Sequence, residues 1–389
     1  MSTQPAPSPL SAPLRQTLNW RDRWLLWRNR QLASPGFQQR AARFVLTRPV
    51  ARQRAGQLFD LVAGFVYSQV LLACVRLRLF DRLHDAPEDA AALAAQLDME
   101  PHAMTRLLQA GCALRLLQRF SDGRYGLGVL GAPMVGNAAL AAMVEHHAVL
   151  YADLSDPVAL LRGQAGAQQL AGYWPYGGTT APEQLAGDRV APYSALMTAS
   201  QPLVASEILD SHDFRAHRRL LDVGGGEGRF LMAAAQRAPE LALALFDLPA
   251  VAQRAQVALD AAGLAARARA HGGDFFNDPL PYGADLITLV RVVHDHNDGP
   301  VSRLLRAAHT ALVPGGTLLL AEPMAGTASA RAMGDAYFGF YLLAMGHGQP
   351  RTGQRLTELL QQAGFAEVRL LANAMPLQTS LLLARKGRT

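Results

Sequence analysis

The chain reads as an α/β protein, with a Rossmann-like open sheet in its C-terminal part and a mainly helical, winged-helix-like domain before it. Three features of the 389 residues point there. From about Ser206 onward, apolar strand-like runs alternate with helical segments, the pattern of a parallel sheet covered on both faces. A glycine cluster sits where the first of those strands turns into a helix, and further upstream three helical stretches precede a short ribbon. With 50% hydrophobic residues the chain can build a large core and more than one domain.

Taken from the N-terminus, residues 1–55 form a basic extension. It holds Arg15, Arg21, Arg23, Arg28, Arg30, Arg40, Arg43, Arg48, Arg52 and Arg54 against one acid, Asp22, so the excess of positive charge behind the chain's net +6 is concentrated there. In "LNWRDRWLLWRNR" the residues Trp20, Trp24 and Trp27 fall on one side of a helix with arginines around them, a pattern that suits either an interfacial helix on anionic lipid or an arm packed on protein. The terminus lacks the apolar core and cleavage site of a secretory signal, and no run approaches roughly 18 uncharged apolar residues. Cys74 and Cys112 lie far apart in helical segments, so neither a disulfide framework nor a cysteine metal cluster is expected. A cytoplasmic location follows as the expectation, with peripheral contact to an inner or intracytoplasmic membrane through residues 15–55.

Residues 56–135 supply the winged-helix pattern: one or two apolar helices through "LFDRL", two more helices broken near Met99-Glu100-Pro101, and "SDGRYGLGVLG" as a turn beside a short strand. Such a unit binds DNA or a partner subunit. The recognition-helix candidate, Pro101 to Phe120, offers only Arg106, Arg115 and Arg119 among many apolar residues, which favours dimerisation over nucleic acid. Residues 136–205 read as a helical linker, interrupted by "AGYWPYGGTTAPEQLAGD" as a loop over a pocket.

In residues 206–389, "RRLLDVGGGEGRF" is a strand ending at Asp222, a glycine loop and a helix start; "LALALFDLP" is a strand ending at Asp247; "ADLITLVRVVHD" and "GGTLLLAEPM" are later strands. Ligands of such sheets bind beyond the carboxyl ends of the strands, so Asp222, Asp247, His294 and Glu322 should share one crevice. Gly224, Gly226 and Gly228 let a ligand approach the backbone, and Asp247 can accept hydrogen bonds from two ribose hydroxyls. In "GGDFF", Asp274 can take an adenine amino group and Phe275 can stack on the ring. Together these select an adenosine-bearing ligand, whereas a tight turn with an incidental acid is the bland alternative.

The motifs "LLDVGGGEG", "LFDLP", "GGDFF", "LVRVVHDHND", "GGTLLLAEP" and "LTELLQQAGF" resemble, in order and spacing, the class of S-adenosylmethionine-dependent O-methyltransferases that includes plant phenolic and acetylserotonin enzymes. The resemblance spans roughly residues 56 to 385. It implies an N-terminal dimerisation domain, a homodimer, and S-adenosyl-L-methionine held by Asp222, Gly224, Gly225, Gly226, Asp247, Leu248, Asp274, Phe275, Phe276 and Arg291. It also implies a catalytic His294. Within the class, the Trp/Arg extension and "VRVVHDHND" look most like bacterial carotenoid enzymes, which implies a hydrophobic hydroxylated carotenoid as acceptor.

A sulfonium methyl donor needs no metal but does need a base to collect the hydroxyl proton, the role expected of His294. Glu322 occupies the place of one of the two acids that flank this base in plant members, while Pro350 stands at the other, a departure that suggests a role for Asp295. Asp295 either orients His294 or caps backbone amides. Asp298 reads as a helix N-cap, and His296 as an ordinary loop residue rather than a metal ligand, since no third and fourth ligands suggest themselves. Trp174, Tyr193, Met197, Phe338 and Met345 are candidate pocket residues, with simple core packing as the competing reading.

Overall fold

The fold is taken from a computed structural model that describes residues 18–173, 201–202, 204–375 and 379–388. The chain divides into two compact units, Met1–Ala73 and Cys74–Thr389.

The first unit is helical. Helices α1 (Trp20–Ala33) and α2 (Pro35–Arg43) are followed by the long α3 (Arg48–Arg76). Asn19 starts α1 by accepting from the Asp22 amide, and Pro35 opens α2 at a position where a missing N–H costs nothing. As expected, Trp20, Trp24 and Trp27 lie on a helix, and all three are exposed. The expectation that no segment has membrane-spanning character is corrected by α3, which is long and apolar enough to cross a bilayer, with a mean hydropathy of 1.9 over its best window, 11% of it buried. Asp60, Tyr67, Ser68 and Gln69 interrupt the apolar run in sequence, yet average hydropathy over a continuous helix tolerates them.

The second unit begins with α4 (Leu79–Arg82), α5 (Ala90–Gln96) and α6 (Pro101–Ala113), then a hairpin of β1 (Leu117–Arg119) and β2 (Tyr125–Leu127). The helix break falls at Pro101, as the sequence indicates, and the hairpin is the wing. Helices α7 (Ala138–Asp153), α8 (Pro157–Leu161) and α9 (Gln169–Tyr173) follow.

The remainder is a seven-stranded sheet: β3 (Arg219–Val223), β4 (Ala242–Asp247), β5 (Ala268–Gly272), β6 (Ala284–Val290), β7 (Leu312–Glu322), β8 (Glu367–Leu371) and β9 (Ser380–Arg385). Its order is β5-β4-β3-β6-β7-β9-β8, parallel except that β9 runs antiparallel to both neighbours. Strand order reverses between β3 and β6, which places the ligand crevice at their carboxyl ends. Central strands are buried on both faces and read as continuous apolar runs. Leu318 and Leu320 join Val301, Leu304 and Leu356 on one side, while Leu319 and Ala321 join Phe230, Leu231 and Leu259 on the other. The edge strands β5 and β8 carry Arg269, His271, Glu367 and Arg369, and this polar mixture hid them from the periodicity reading. Covering helices include α10 (Arg229–Arg237), α11 (Pro249–Ala261), α12 (Asp298–Ala311), α13 (Phe338–Met345) and α14 (Gly353–Gln362).

Candidate active site

Three strand ends meet at the switch point. At the end of β3, Asp222 is buried; its Oδ1 accepts from Thr288 Oγ1 of the neighbouring β6 at 2.6 Å, and its Oδ2 has no hydrogen-bond partner among the described residues. Burial, eased by Thr288 and reinforced by the charge of Asp247, pushes its pKa up to about 7. Asp247, ending β4, accepts from the Gly226 amide at 2.8 Å and the Leu248 amide at 2.7 Å, so this acid closes the glycine loop onto the next strand. Its pKa stands at about 6, raised by burial against the opposing pull of those two amides. Gly226 has φ +57 and open space where a Cβ would point, so the loop presents bare backbone there. Bare backbone beside a buried and a half-buried carboxylate, one of them with an oxygen unpartnered among the described residues, fits a ligand rich in donors, and a sulfonium that carries an adenosyl and an aminoalkyl acid group is one.

The residues expected from sequence to meet adenine are more engaged with protein than that expectation allows. Asp274 spends its carboxylate within its own turn, on the Phe276 amide at 2.9 Å and Asn277 Nδ2 at 2.5 Å. Phe275 and Phe276 stand nearly perpendicular to each other with centroids 4.6 Å apart, and His296 packs edge-on against both, at 5.8 and 4.8 Å. His296 is thus an aromatic packing element rather than an ordinary loop residue. Burial, with help from the neighbouring cations, lowers its pKa to about 3, so it stays neutral.

The turn after β6 holds His294 between Asp295 and Glu322. Residues 293–295 form a single 3-10 turn, entered through Arg291 in the left-handed region at φ 59, a strained conformation for a non-glycine residue. Glu322, 2% exposed at the end of β7, receives four donors from this turn. Oε1 accepts from the amides of Val292 at 3.0 Å and Val293 at 2.7 Å, and Oε2 from the His294 amide at 3.3 Å and His294 Nδ1 at 2.5 Å. On the other side of the ring, His294 Nε2 lies 3.0 Å from Asp295 Oδ1. Burial alone would lower the His294 pKa, but Asp295 and Glu322 outweigh it and the net shift is upward. Burial also raises Asp295, to about 7, against the pull of His294.

The carbonyls of the same turn are held by residues that the sequence reading missed. Arg351 donates to Val293 O at 2.9 Å and His296 O at 2.7 Å, the Gln349 amide to His294 O at 2.9 Å, and His347 Nδ1 to Asp295 O at 3.0 Å. Gly348 allows this close approach, since its φ is +81 and a Cβ would stand 2.4 Å from His294 O. Arg351 is itself buried and pairs with Asp298 at 2.7 Å. Asp298 is therefore not the N-cap expected from sequence. Asn297 occupies that position, and the Asp298 carboxylate binds Gln349, Arg351 and Arg355. A lone arginine in a loop carries no sequence pattern that would have marked it.

The turn that carries His294 and the glycine loop adjoin, because a Cβ on Gly224 would stand 2.7 Å from Val292 Cγ2. Of the candidate pocket residues, Phe338 packs perpendicular to the His294 ring at 5.8 Å, whereas Met345 is 1% exposed within an apolar cluster with Leu150, Leu160 and Leu342, the position of a core residue. Trp174, Tyr193 and Met197 lie outside the described residues.

Comparison with known proteins gives the same picture from another direction. Residues 151–366 match the O-methyltransferase domain family, and residues 59–143 the O-methyltransferase dimerisation domain. Demethylspheroidene O-methyltransferase of Cereibacter sphaeroides is 45% identical over 359 residues, which cover 91% of this chain and 93% of that protein. Acetylserotonin O-methyltransferase of Mus musculus is 31% identical, covering 85% of this chain and 88% of that protein. Among solved structures, human N-acetylserotonin methyltransferase in complex with SAM superposes with a TM-score of 0.71 at 26% identity, covering 86% of this chain and 98% of the other.

Because Arg351 holds two carbonyls of the turn from a buried position, Arg351→Met should cost about 3 kcal/mol of stability and lower kcat about a hundredfold. Urea unfolding and steady-state kinetics check this; an unchanged kcat would mean that the turn holds its shape without the clamp.

Proposed function

The chain belongs to the O-methyltransferase family, as an S-adenosylmethionine-dependent O-methyltransferase with that family's dimerisation domain, and from this premise we propose that it methylates the tertiary 1-hydroxyl of an acyclic carotenoid, of demethylspheroidene or hydroxyneurosporene type, with His294 as general base. The observation that carries the acceptor is the likeness to a demethylspheroidene enzyme across nine-tenths of both chains. The dimerisation domain makes a homodimer the expected assembly. On this reading the chain comprises a basic Trp/Arg-rich extension (1–55), a winged-helix-like dimerisation domain (56–135), a helical linker and pocket-lining segment (136–205) and a methyltransferase domain (206–389).

Asp222, the Gly224–Gly228 loop, Asp247 with Leu248, and Phe275 with Phe276 are the residues that would hold S-adenosylmethionine, and Arg291 adds a cation at the entry to the catalytic turn. When bound, that cofactor supplies an electrophilic sulfonium methyl group. A tertiary alcohol is about as weak an acid as water, with a pKa on the order of 16, whereas histidine sits near about 6.5. Free alkoxide is out of reach, so the proton leaves as the new bond forms, and positioning supplies much of the acceleration. Glu322 fixes the imidazole with its Nδ1 proton inward, leaving the Nε2 lone pair as acceptor. Once Nε2 is protonated, the imidazolium lies between two carboxylates, and Asp295 Oδ1 faces the new proton. Asp295 thus takes the place of the second acid that Pro350 leaves unfilled.

The arm suits an acceptor that dissolves in membranes. Trp20, Trp24 and Trp27 are exposed beside arginines, and Phe44, Val45 and Leu46 are exposed between α2 and α3. Aromatic rings at headgroup level with guanidinium groups on anionic lipid would hold a cytoplasmic enzyme peripherally on the inner or intracytoplasmic membrane.

In liposomes, wild-type protein should transfer labelled methyl groups to 1-hydroxycarotenoids, and His294→Ala should lower kcat by roughly 10²–10⁴-fold; turnover of soluble phenols with no carotenoid product would overturn the acceptor. Since the Asp295 anion raises the imidazole pKa, and only neutral imidazole accepts a proton, activity should climb with pH through that raised value. Asp295→Asn should therefore move the acid limb of kcat/KM to lower pH, and a limb that stays in place would count against the pairing. Replacing Trp20, Trp24 and Trp27 by Ser should abolish co-sedimentation with anionic but not neutral vesicles, and retained binding would sink the lipid role of the arm.

A further inference from the structure

A row of aromatic rings leads away from the base. Phe338, perpendicular to His294, continues into Tyr337 at 5.1 Å and Tyr341 at 6.4 Å. Tyr337 closes a π-helical turn, Ala332–Tyr337, and Phe338 opens α13, so the register shift of a π-turn falls between the two rings. Such turns interrupt otherwise regular helices and recur at functional sites. Both tyrosine hydroxyls are held from α7: Tyr337 by His147 Nε2 at 2.8 Å and Tyr341 by His146 Nε2 at 2.9 Å. Burial keeps both imidazoles neutral, His146 with a pKa of about 4, so these are neutral hydrogen bonds.

Two adjacent histidines satisfying two tyrosines one turn apart form a costly construction for packing alone, since phenylalanine and leucine would fill the same space without polar atoms to pair. The proton transfer described above uses none of these four side chains. What they do have is a direct line to the base, because the wall they immobilise includes the ring that faces His294.

We propose that His147 and Tyr337 are positioning residues: their hydrogen bond locks the Tyr337–Phe338 wall against the His294 ring, and the locked wall sets the direction from which the acceptor hydroxyl reaches Nε2. This rests on His294 being the base. His147 acts only through Tyr337, and Tyr337 through Phe338, so the chain of action runs from α7 to the reacting nitrogen without either residue moving a proton.

The test compares His147→Leu, Tyr337→Phe, their double variant and His147→Gln in the full-length protein, with His294→Ala alongside. The readouts are kcat and KM for whichever acceptor the wild type turns over, S-adenosylmethionine affinity by calorimetry, and the thermal midpoint. Each single variant should lose kcat about tenfold, the worth of one hydrogen bond, with cofactor affinity and acceptor KM nearly unchanged. The double variant should be no worse than either single, because both remove the same bond, and His147→Gln, whose amide can still reach the hydroxyl, should recover part of the loss. Wild-type kcat in the single variants overturns the proposal. So do additive losses in the double variant, or a loss matched by weaker cofactor binding and a lowered thermal midpoint. If His294→Ala keeps the wild-type rate, the base assignment fails first; if it is inactive while His147→Leu is intact, only the positioning role fails.

Discussion

The carboxylate of Glu322 is the point on which the site depends. It ends the buried half of β7, where an uncompensated charge would be very costly, and it is stabilised by four donors from the turn after the adjacent strand. The same four bonds that make the charge tolerable fix the backbone of residues 292–294 and the orientation of the imidazole. Burial of the charge and orientation of the ring therefore depend on the same geometry. The strand pairing of β6 with β7, in register through Val290 and Ala321, brings the two partners together before any side chain is considered.

From the opposite side, the 347–351 loop satisfies the carbonyls of residues 293 to 296. A short turn with amides bound to one element and carbonyls bound to another has little freedom left, as the role proposed for His294 requires. Rigidity also reaches the cofactor loop, since Val292 packs where Gly224 lacks a side chain, and Thr288 of β6 bonds Asp222 of β3. The glycine loop and the His294 turn thus share one backbone framework.

The first unit follows a different logic. Its apolar residues face outward: Leu58, Phe59, Leu61, Val62 and Phe65 on α3 are all more than half exposed. Part of this face, from residue 59 on, lies in the stretch that matches the dimerisation domain. The Trp/Arg helices precede it and carry the charge that a dimer interface does not need.

By itself the sequence determined the open α/β sheet, the wing, the glycine loop, and the placement of Asp222, Asp247, His294 and Glu322 at strand ends, because these follow from local periodicity and from the rule that such sheets bind ligands at their carboxyl edge. Strands β5, β8 and β9 went unseen, since polar alternation at an edge and a short apolar run near the terminus look no different from loop and helix in one dimension. Only the tertiary structure decided that Asp295 pairs with Nε2, that Asp298 serves Arg351 rather than a helix end, that His296 joins an aromatic cluster, and that His147 reaches Tyr337, 190 residues away in the chain. Each of these is a contact between side chains distant in sequence or oriented by a turn. Its energy comes from burial and pairing in three dimensions, for which a one-dimensional pattern has no term.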